Sequence, residues 1–327
     1  MAGAVAGTTT TFANGGTLTG MREDLQNMIY DISPTETPFL TMAGKTQARA
    51  RFHEWQTDAL AAAGANIQIE GDDASYTTAT NTTRVGNYVQ RASKTVIVSD
   101  TAENVDKAGR KSELARLLIK YGKELKRDME YALVRNQASS AGGFATGRAL
   151  ASVESWITTN RQHSSASDTT GTTPGYSGGT VAAPTDGTQY TLSESVFTSG
   201  LGAAWTQGGD ASLIMCGKFN KGKIDAFSGI ATKYNQVNGN NPATIIGAAD
   251  IYVSDYGNHK IMLNRYMRDR TVLQLDPDYW DVATLQPITK KELARTGAAQ
   301  KYLLDVEFTL VAKNEASSAK VDDLTTA

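Results

Sequence analysis

The chain has 327 residues, 40% of them apolar and 20% charged, and its formal net charge is −2. This composition can form a sizeable core and predicts one large or two ordinary domains. The near-neutral charge argues against a general nucleic-acid binder. Cys216 is the only cysteine, which excludes an intrachain disulfide and indicates a reducing site of synthesis. The sequence shows neither a signal peptide nor a membrane span, so we expect a protein made and used in a cytoplasm, or released only by lysis.

The chain begins with a polar arm, residues 1–20, which is rich in Gly, Thr and Ala and has no periodicity. A strap follows at 22–46, where Pro34 and Pro38 favour extended backbone. A short helix face is predicted at Leu25, Met28 and Ile29, and the apolar anchors of the strap are Phe39, Leu40 and Met42. This strap has too little apolar surface to fold alone, so it should lie on another part of the protein or on another copy.

Residues 47–100 are predicted to form a long two-stranded excursion. The outgoing strand carries Phe52 and Trp55, and the return strand runs from Tyr88 to Val98, rich in β-branched and aromatic residues. The stretch between them is small and polar, which suits an exposed tip. Because a hairpin of this length has edges that need covering, we expect it to rest on a neighbouring subunit.

The next segment, Ser112 to Gln137, is predicted to be one long helix of about 39 Å at 1.5 Å per residue. Asp106 or Ser112 could cap its start. Its narrow apolar stripe consists of Leu114, Leu118, Tyr121, Leu125, Met129 and Ala132. A helix of this kind must lie across an extended surface, and the strand predicted at 301–315 is the best candidate.

In the middle of the chain, predicted helices and strands are interrupted by a polar segment. A glycine-rich break is followed by helical spacing over 148–160, with Trp156 alongside, and then by a predicted surface insertion at 161–191. A helix is predicted after Ser193, with Val196, Leu201 and Trp205 as its apolar residues. Strands and a helix then alternate, the predicted segments being 211–216, 218–227, 249–257, 259–267 and 270–280. The tail after Glu315 is polar and is predicted to be disordered.

The candidate chemical sites are weak. Gly44 lies in a segment reminiscent of a phosphate loop, but Phe39 occupies the position that needs the first glycine. The three histidines lie far apart, and the acidic run at 276–281 lacks the glycine and distal glutamate of a calcium loop. Cys216 ends an apolar strand and is predicted to be a buried, inert thiol. No catalytic residue, cofactor or metal ligand is predicted.

Two charged surfaces could be complementary. The long helix has an excess of basic residues, namely Lys107, Arg110, Lys111, Arg116, Lys120, Lys123, Lys126, Arg127 and Arg135. A solvated face with Glu–Lys pairs is the simpler interpretation. The alternative is a face turned to packaged nucleic acid or to an acidic patch of a neighbour. The tip of the excursion has such a patch, formed by Glu70, Asp72 and Asp73.

Five segments together resemble one family, the tailed-phage major capsid proteins with the Hong Kong 97-type fold, and more narrowly the phage SU-ten head proteins. The segments are DLQNMIYDISPTETPFL (24–40), KYGKELKRDMEYALVRNQ (120–137), WITTN (156–160), VLQLDPDYWDVATLQP (272–287) and KYLLDVEFTL (301–310). The resemblance covers about residues 22–313 and implies an α+β capsid fold.

The resemblance also implies a division of the chain. The parts are an N-terminal arm (1–46), an extended loop or β-hairpin (47–100), a peripheral domain (101–190 and 296–315) with its spine helix at 105–137, an axial domain (191–295) and a C-terminal tail (316–327). A flexible arm and an exposed hairpin make sense when each copy covers the edges of its neighbours. Intersubunit contacts are therefore predicted at Pro38, Phe39, Leu40, Trp55, Glu70, Asp72, Asp73 and Tyr88.

By the same resemblance, the function is that of a phage major capsid protein. Copies would form pentamers and hexamers in an icosahedral shell around double-stranded DNA, held non-specifically, with possible scaffold, cement and portal partners. The expected location is the virion, after assembly in the host cytoplasm. One alternative is a phage tail component that forms rings or tubes. Another is a soluble enzyme whose site the sequence does not reveal.

Overall fold

The computed structural model describes residues 36–73, 76, 78–79, 81–107, 109–163, 171–227 and 251–326, together with the backbone of 12–13 and 16–17. The helix face predicted at Leu25, Met28 and Ile29, and most of the N-terminal arm, lie outside the described residues. In the described part of the arm, β1 (Phe12–Ala13) pairs with β2 (Gly16–Thr17).

The described helices are α1 (Pro38–Met42), α2 (Asp100–Asn104), α3 (Glu113–Val134), α4 (Val153–Trp156), α5 (Glu194–Thr206) and α6 (Lys218–Asp225). The remaining strands are β3 (Gly44–Gln47), β4 (Phe52–Thr57), β5 (Thr83–Tyr88), β6 (Gln90–Ser99), β7 (Arg161–Gln162), β8 (Gly175–Ser177), β9 (Thr180–Ala182), β10 (Leu213–Cys216), β11 (Ile251–Ser254), β12 (Gly257–Leu263), β13 (Val272–Leu275), β14 (Trp280–Glu292), β15 (Ala299–Ala312) and β16 (Ala319–Val321).

A four-stranded sheet with the order β3-β14-β15-β6 supports the long helix. In this sheet β15 pairs antiparallel with both β14 and β6, and β3 pairs parallel with β14. Helix α3 lies against β6 and β15, and Leu125, Met129 and Leu133 are buried there in one core with Val306 and Phe308. The prediction that the long helix packs on the carboxy-terminal strand is thereby confirmed.

Helix α3 begins directly after its N-cap residue, Ser112. The Ser112 hydroxyl accepts the Ala115 N–H at 3.1 Å, so Ser112 and not Asp106 is the N-cap. The helix ends at Val134, three residues before the predicted Gln137, because Arg135 has extended backbone.

A six-stranded mixed sheet with the order β11-β12-β10-β13-β16-β7 forms the second body of structure. Strand β10 is buried along its whole length, as predicted, and pairs parallel with β12 and antiparallel with β13. Helix α5 covers one face through Phe197 and Leu201, which pack with Ile214 and Val321. Trp205, named in the sequence analysis among the apolar residues of this helix, is 62% exposed.

The excursion differs from its prediction at the return strand. Strands β4 and β5 pair antiparallel from Phe52↔Tyr88 to Thr57↔Thr83, but Tyr88 to Val98 is not one hairpin strand. The chain passes through the buried Val89 into β6, which belongs to the four-stranded sheet. The hairpin is therefore shorter than predicted, and its return strand leads directly into the sheet.

The tail predicted to be disordered after Glu315 is folded. Strand β16 lies inside the six-stranded sheet, antiparallel to β13 and parallel to β7. Residues 317–324 are buried, including Lys320 with no exposed surface. The prediction was wrong because the apolar residues of this segment are few, and its charges are compensated by residues distant in sequence.

The insertion and the domain boundaries also need correction. Within 161–191, β8 pairs with β9 and Val181 is fully buried, so the described part of this segment is not an unstructured insertion. The helix predicted over 148–160 is limited to α4. Strand β14 lies in the four-stranded sheet although the predicted axial domain extended to 295, and β16 lies in the six-stranded sheet although it was assigned to a separate tail.

Candidate intersubunit surfaces

The base of the hairpin is fixed to the four-stranded sheet by polar and aromatic contacts. The Trp55 indole N–H donates to the Ala312 carbonyl at 2.9 Å, and its ring centroid lies 5.5 Å from that of Trp156. Asn87, fully buried, donates to the carbonyls of Ala151 and Leu310 at 3.1 and 3.0 Å. Tyr88 packs on Phe52 with ring centroids 4.6 Å apart. These contacts hold the hairpin base against its own chain.

The tip of the hairpin contacts little of its own chain. The described residues between β4 and β5 form no regular helix or strand. Four apolar side chains are nearly fully exposed, namely Leu60 (99%), Ile67 (88%), Ile69 (76%) and Tyr76 (97%). Glu70, Asp72 and Asp73 are also exposed and form no ion pair with a described residue. The tip thus presents mixed apolar and acidic surface away from the core.

The strap ends in a short helix and not in extended backbone. Pro38 is at the first turn of α1, where its fixed φ is compatible with helix and its missing N–H costs no hydrogen bond. Phe39 has no exposed surface and belongs to the main core of its own chain. Its predicted role as an intersubunit contact is therefore incorrect, since no surface is left for a neighbour. Pro38 and Leu40 are half-buried, as are Trp55 and Tyr88.

A buried carboxylate on the spine helix holds this strap. Glu130 is fully buried and accepts the backbone N–H groups of Phe39 and Leu40, each at 2.8 Å. The Asn264 side-chain amide donates to the same carboxylate at 2.6 Å. Burial raises the pKa of Glu130, while the two backbone donors and Asn264 act in the opposite direction. Glu130 thus joins the strap, the spine helix and the end of β12, and the sequence analysis did not identify it.

Three basic residues on or just before α3, namely Arg110, Arg116 and Lys120, form ion pairs within the chain. Arg110 and Arg116 both contact Glu113, and Lys94 of β6 contacts Asp128 at 2.9 Å. The hydrogen bond from Arg116 is the main reason that the pKa of Glu113 is lowered. These pairs favour the simpler interpretation of a solvated helix face. Lys111 and Lys126 are exposed and pair with no described carboxylate.

The residues considered for chemistry have structural roles. Gly44 begins β3, and its backbone lies against the Asp281 side chain. Burial raises the pKa of the Cys216 thiol to about 12, which keeps it protonated. Asp276 accepts the N–H of Asp278 at 3.2 Å and caps a 3-10 turn. Among the described residues, no group of three or more His, Cys, Asp or Glu side chains could hold a metal ion.

No helix in the described ranges has the length and apolar character needed to cross a membrane.

The overall arrangement, with a spine helix on a four-stranded sheet, a protruding hairpin and a second mixed sheet, is that of the Hong Kong 97-type phage capsid fold. One solved structure with this fold is the capsid asymmetric unit of cyanophage A-1(L), with a TM-score of 0.65, 14% identity and coverage of 94% of this chain and 98% of that chain. The capsid of a native GTA particle, computed with C5 symmetry, gives a TM-score of 0.59 at 10% identity and covers 99% of this chain and 100% of that chain.

The model of the family described as SU10 major capsid protein matches residues 4–325, and the chain belongs to this family. The major capsid protein of Escherichia phage Phieco32 is 26% identical over 332 residues, covering 91% of this chain and 93% of the relative. The protein is therefore a phage major capsid protein, a structural component of the virion that assembles into an oligomeric shell. The predicted fold class and function are confirmed, and the tail component is disfavoured.

Proposed function

We propose that copies of this chain form pentamers and hexamers of a closed icosahedral head that encloses a double-stranded DNA genome. Assembly would take place in the host cytoplasm. The role is mechanical and not enzymatic: each copy buries its arm and hairpin on its neighbours, and many small interface energies add up to a stable container. The domain division inferred from the sequence is retained, with β14 moved to the peripheral part and β16 moved to the axial part.

The observation that carries this proposal is the exposed tip of the hairpin. Burying one Leu or Ile side chain contributes about 1.5–3 kcal/mol. A monomer that leaves Leu60, Ile67, Ile69 and Tyr76 in water gains nothing from them. The same side chains stabilise an assembly if each tip lies on a neighbouring copy, since they are then removed from water.

The acidic residues of the tip would select the register of this contact. Glu70, Asp72 and Asp73 have no described cationic partner in their own chain, whereas Lys111, just before α3, and Lys126, on α3, have no described carboxylate partner. Opposite charges across an interface favour one register and speed association more than they add affinity. Pro38, Leu40, Trp55 and Tyr88, each with part of its surface exposed, complete the proposed contact set.

Other partners follow from the proposed role. The head would hold its DNA by enclosing it and without sequence preference, because a chain with a net charge of −2 offers no strongly basic domain to bind phosphates. Scaffold, cement and portal proteins are proposed as further partners of the shell.

The test is electron microscopy with light scattering of the full chain expressed alone, and then with the scaffold protein of its phage. We expect closed polyhedral shells in at least one of the two preparations. Tubes in both would favour a tail component. A monomer in both, at high concentration, would contradict the proposal.

A further inference from the structure

An exposed aromatic notch lies at one end of the six-stranded sheet. Trp205, at the end of α5, and Tyr256, in the turn between β11 and β12, are 62% and 37% exposed, with ring centroids 6.0 Å apart. They line a cavity of about 330 Å³ together with Gly208, Gly209 and Asp210. The Asp210 carboxylate is exposed and pairs with no cation among the described residues. Two aromatic rings beside a free carboxylate fit a Lys or Arg side chain.

The walls of the notch are held in place by a buried histidine. The Nδ1–H of His259 donates to the Ala211 carbonyl at 2.7 Å, and Nε2 forms a hydrogen bond with the Ser254 hydroxyl at 2.7 Å. The Ser254 oxygen in turn accepts the Tyr256 N–H at 3.1 Å. His259 therefore fixes the turn that carries Tyr256 and the loop that carries Asp210. A site fixed before binding loses less entropy when it is occupied.

The floor of the notch is also fixed. A side chain at Gly209 would meet the Ser317 carbonyl, because a Cβ built there lies 2.1 Å from that oxygen. On the other wall, the Tyr256 hydroxyl lies over Gly202 of α5, at 2.8 Å from a built Cβ. Glycine at these two positions lets the loop and the ring pack closely, so the cavity has one defined shape.

Free cations lie at the opposite end of the same sheet. Strands β10 and β12 are parallel, with Asp210 and Tyr256 before their first residues and Lys218 and Arg265 after their last. Lys218 and Arg265 are exposed, line a cleft of about 740 Å³ and pair with no described carboxylate. The seven residues of β12 span about 23 Å at 3.3 Å each. The two ends of the sheet therefore cannot meet within one copy.

We propose that the notch of one copy receives Lys218 or Arg265 of the next copy around a pentamer or hexamer. Such a contact is head-to-tail, and this inference rests on the proposed function. Contacts of this type close into rings when the rotation between copies allows it. The hairpin base points to the same flank: Gln207 lines the cleft at that base, and Gly208, the next residue, lines the notch. A neighbour that covers the hairpin base would therefore also lie beside the notch. Buried Trp, Tyr and Arg residues are typical interface hot spots.

The first test is photo-crosslinking within assembled particles. Benzoylphenylalanine replaces Trp205, and shells are formed from equal amounts of ¹⁴N and ¹⁵N chains of this variant. We expect mixed-isotope crosslinks between position 205 and peptides that contain Lys218 or Arg265. The matched control carries the same group at Phe144, which is fully exposed and distant in sequence from the notch; this control should give no crosslink to those peptides.

The second test is charge exchange. Asp210→Lys should raise the protein concentration needed for assembly by about tenfold or more. Combining it with Lys218→Asp or with Arg265→Asp should restore assembly in one of the two pairs. Glu292→Lys, an exposed acid at the end of β14, is the control and should assemble normally.

The outcomes separate this inference from the shell function. Closed shells with no mixed-isotope crosslink to either peptide, and no rescue by either pair, would overturn the head-to-tail contact and leave the shell proposal intact. Failure of the unmodified chain to form any particle, with scaffold present, would contradict both. Thermal denaturation of each variant monomer shows whether loss of assembly reflects loss of folding.

Discussion

At the scale of single residues, the sequence predicts positions whose role is local and misses those whose partners are distant. Ser112 was identified as a possible cap because a cap acts within its own helix turn. Glu130 was not identified, because its partners are the backbone N–H groups of Phe39 and Leu40, about ninety residues away, which carry no sequence signal. Asn87 and Asn264 were missed for the same reason, since each bonds to distant parts of the chain.

Replacing Glu130 with Gln should destabilise the folded chain. The Gln amide can accept from only one of the two backbone donors, so the other is left buried and unpaired, at a cost of about 1–3 kcal/mol. Urea denaturation of the monomer measures this cost, and hydrogen exchange at Phe39 and Leu40 locates it. Asp128→Asn on the same helix removes only a surface pair with Lys94 and should cost about 0–1 kcal/mol. Equal effects of the two changes would contradict the proposed anchoring role of Glu130.

Asp305 should make stability dependent on pH. Its side chain is buried, Arg91 and Lys291 contact it at 2.8 and 3.2 Å, and the hydrogen bond from Arg91 is the main reason that its pKa is lowered below the usual 3.8. Because folding lowers this pKa, the stabilisation by the ionised Asp305 is fully present above the pKa of the unfolded state. It is lost as the pH falls through the pKa of the folded state. The urea midpoint should therefore fall less between pH 7 and about pH 3 in Asp305→Asn than in the unmodified chain. The same slope in both would exclude this role.

At the scale of secondary-structure elements, long segments with a clear apolar period were predictable. Short strands whose buried charges are paired with distant residues were not. The stripe of α3 and the apolar run of β15 each repeat over many residues, so their period is clear. Strand β16 has three residues, one of them the buried Lys320, and no period can be read from it. Burial lowers the pKa of Lys320 to about 8, and its amine donates to the Glu154 carbonyl at 2.9 Å.

The charged network around β16 explains why a polar segment can be buried. Arg161 contacts Asp322 and Asp323 at 2.5 and 2.9 Å, and Arg270 contacts Asp323 at 3.0 Å. Its remaining members are Arg268, Glu154, Asp186 and Lys320. Buried charges are tolerated when they are paired and hydrogen-bonded. These pairs join residues that are often more than a hundred positions apart, and the sequence alone does not reveal them.

Removing β16 should abolish correct folding of the six-stranded sheet. A chain that ends at Ser318 leaves the facing edges of β13 and β7 without the strand between them and exposes Ile214 and Val272 of the core. We expect loss of soluble, cooperatively unfolding protein, measured by yield and by circular dichroism during heating. A chain that ends at Thr325 keeps the strand and serves as the control. Normal unfolding of the shorter chain would show that β16 is dispensable.

At the scale of the whole molecule, the sequence predicts the class of fold but not which strand belongs to which sheet. The order of segments identifies an arm, a hairpin, a spine helix and two bodies of structure. Strand β14 follows β13 after only a 3-10 turn, yet the two lie in different sheets. The passage of the chain from one sheet to the other depends on packing between strands that are distant in sequence. The domain boundary predicted at 295 therefore fell after β14 and not between β13 and β14.

The acidic tip should control assembly without affecting the monomer. Changing Glu70, Asp72 and Asp73 together to Ser removes three charges from exposed positions, so the unfolding curve of the monomer should be unchanged. Shells of the variant should form more slowly, and their formation should depend less on salt, because exposed charges interact through a screened field. Light scattering at several salt concentrations measures both effects. Normal rates with unchanged salt dependence would show that the electrostatic part of the contact is wrong.

The direct passage of β5 into β6 has a mechanical consequence for a pressurised container. In the proposed shell, a neighbour that holds the hairpin tip would pull on β6 through β5, and β6 is joined to β15 by a ladder from Gln90↔Phe308 to Ser99↔Ala299. A force along a strand loads all hydrogen bonds of its ladder at once, in shear, whereas a force across the strand would open them one after another. If the proposed contact pulls along β6 when the wall of the head is stretched, the tension from each hairpin enters the sheet in the direction in which the sheet is strongest.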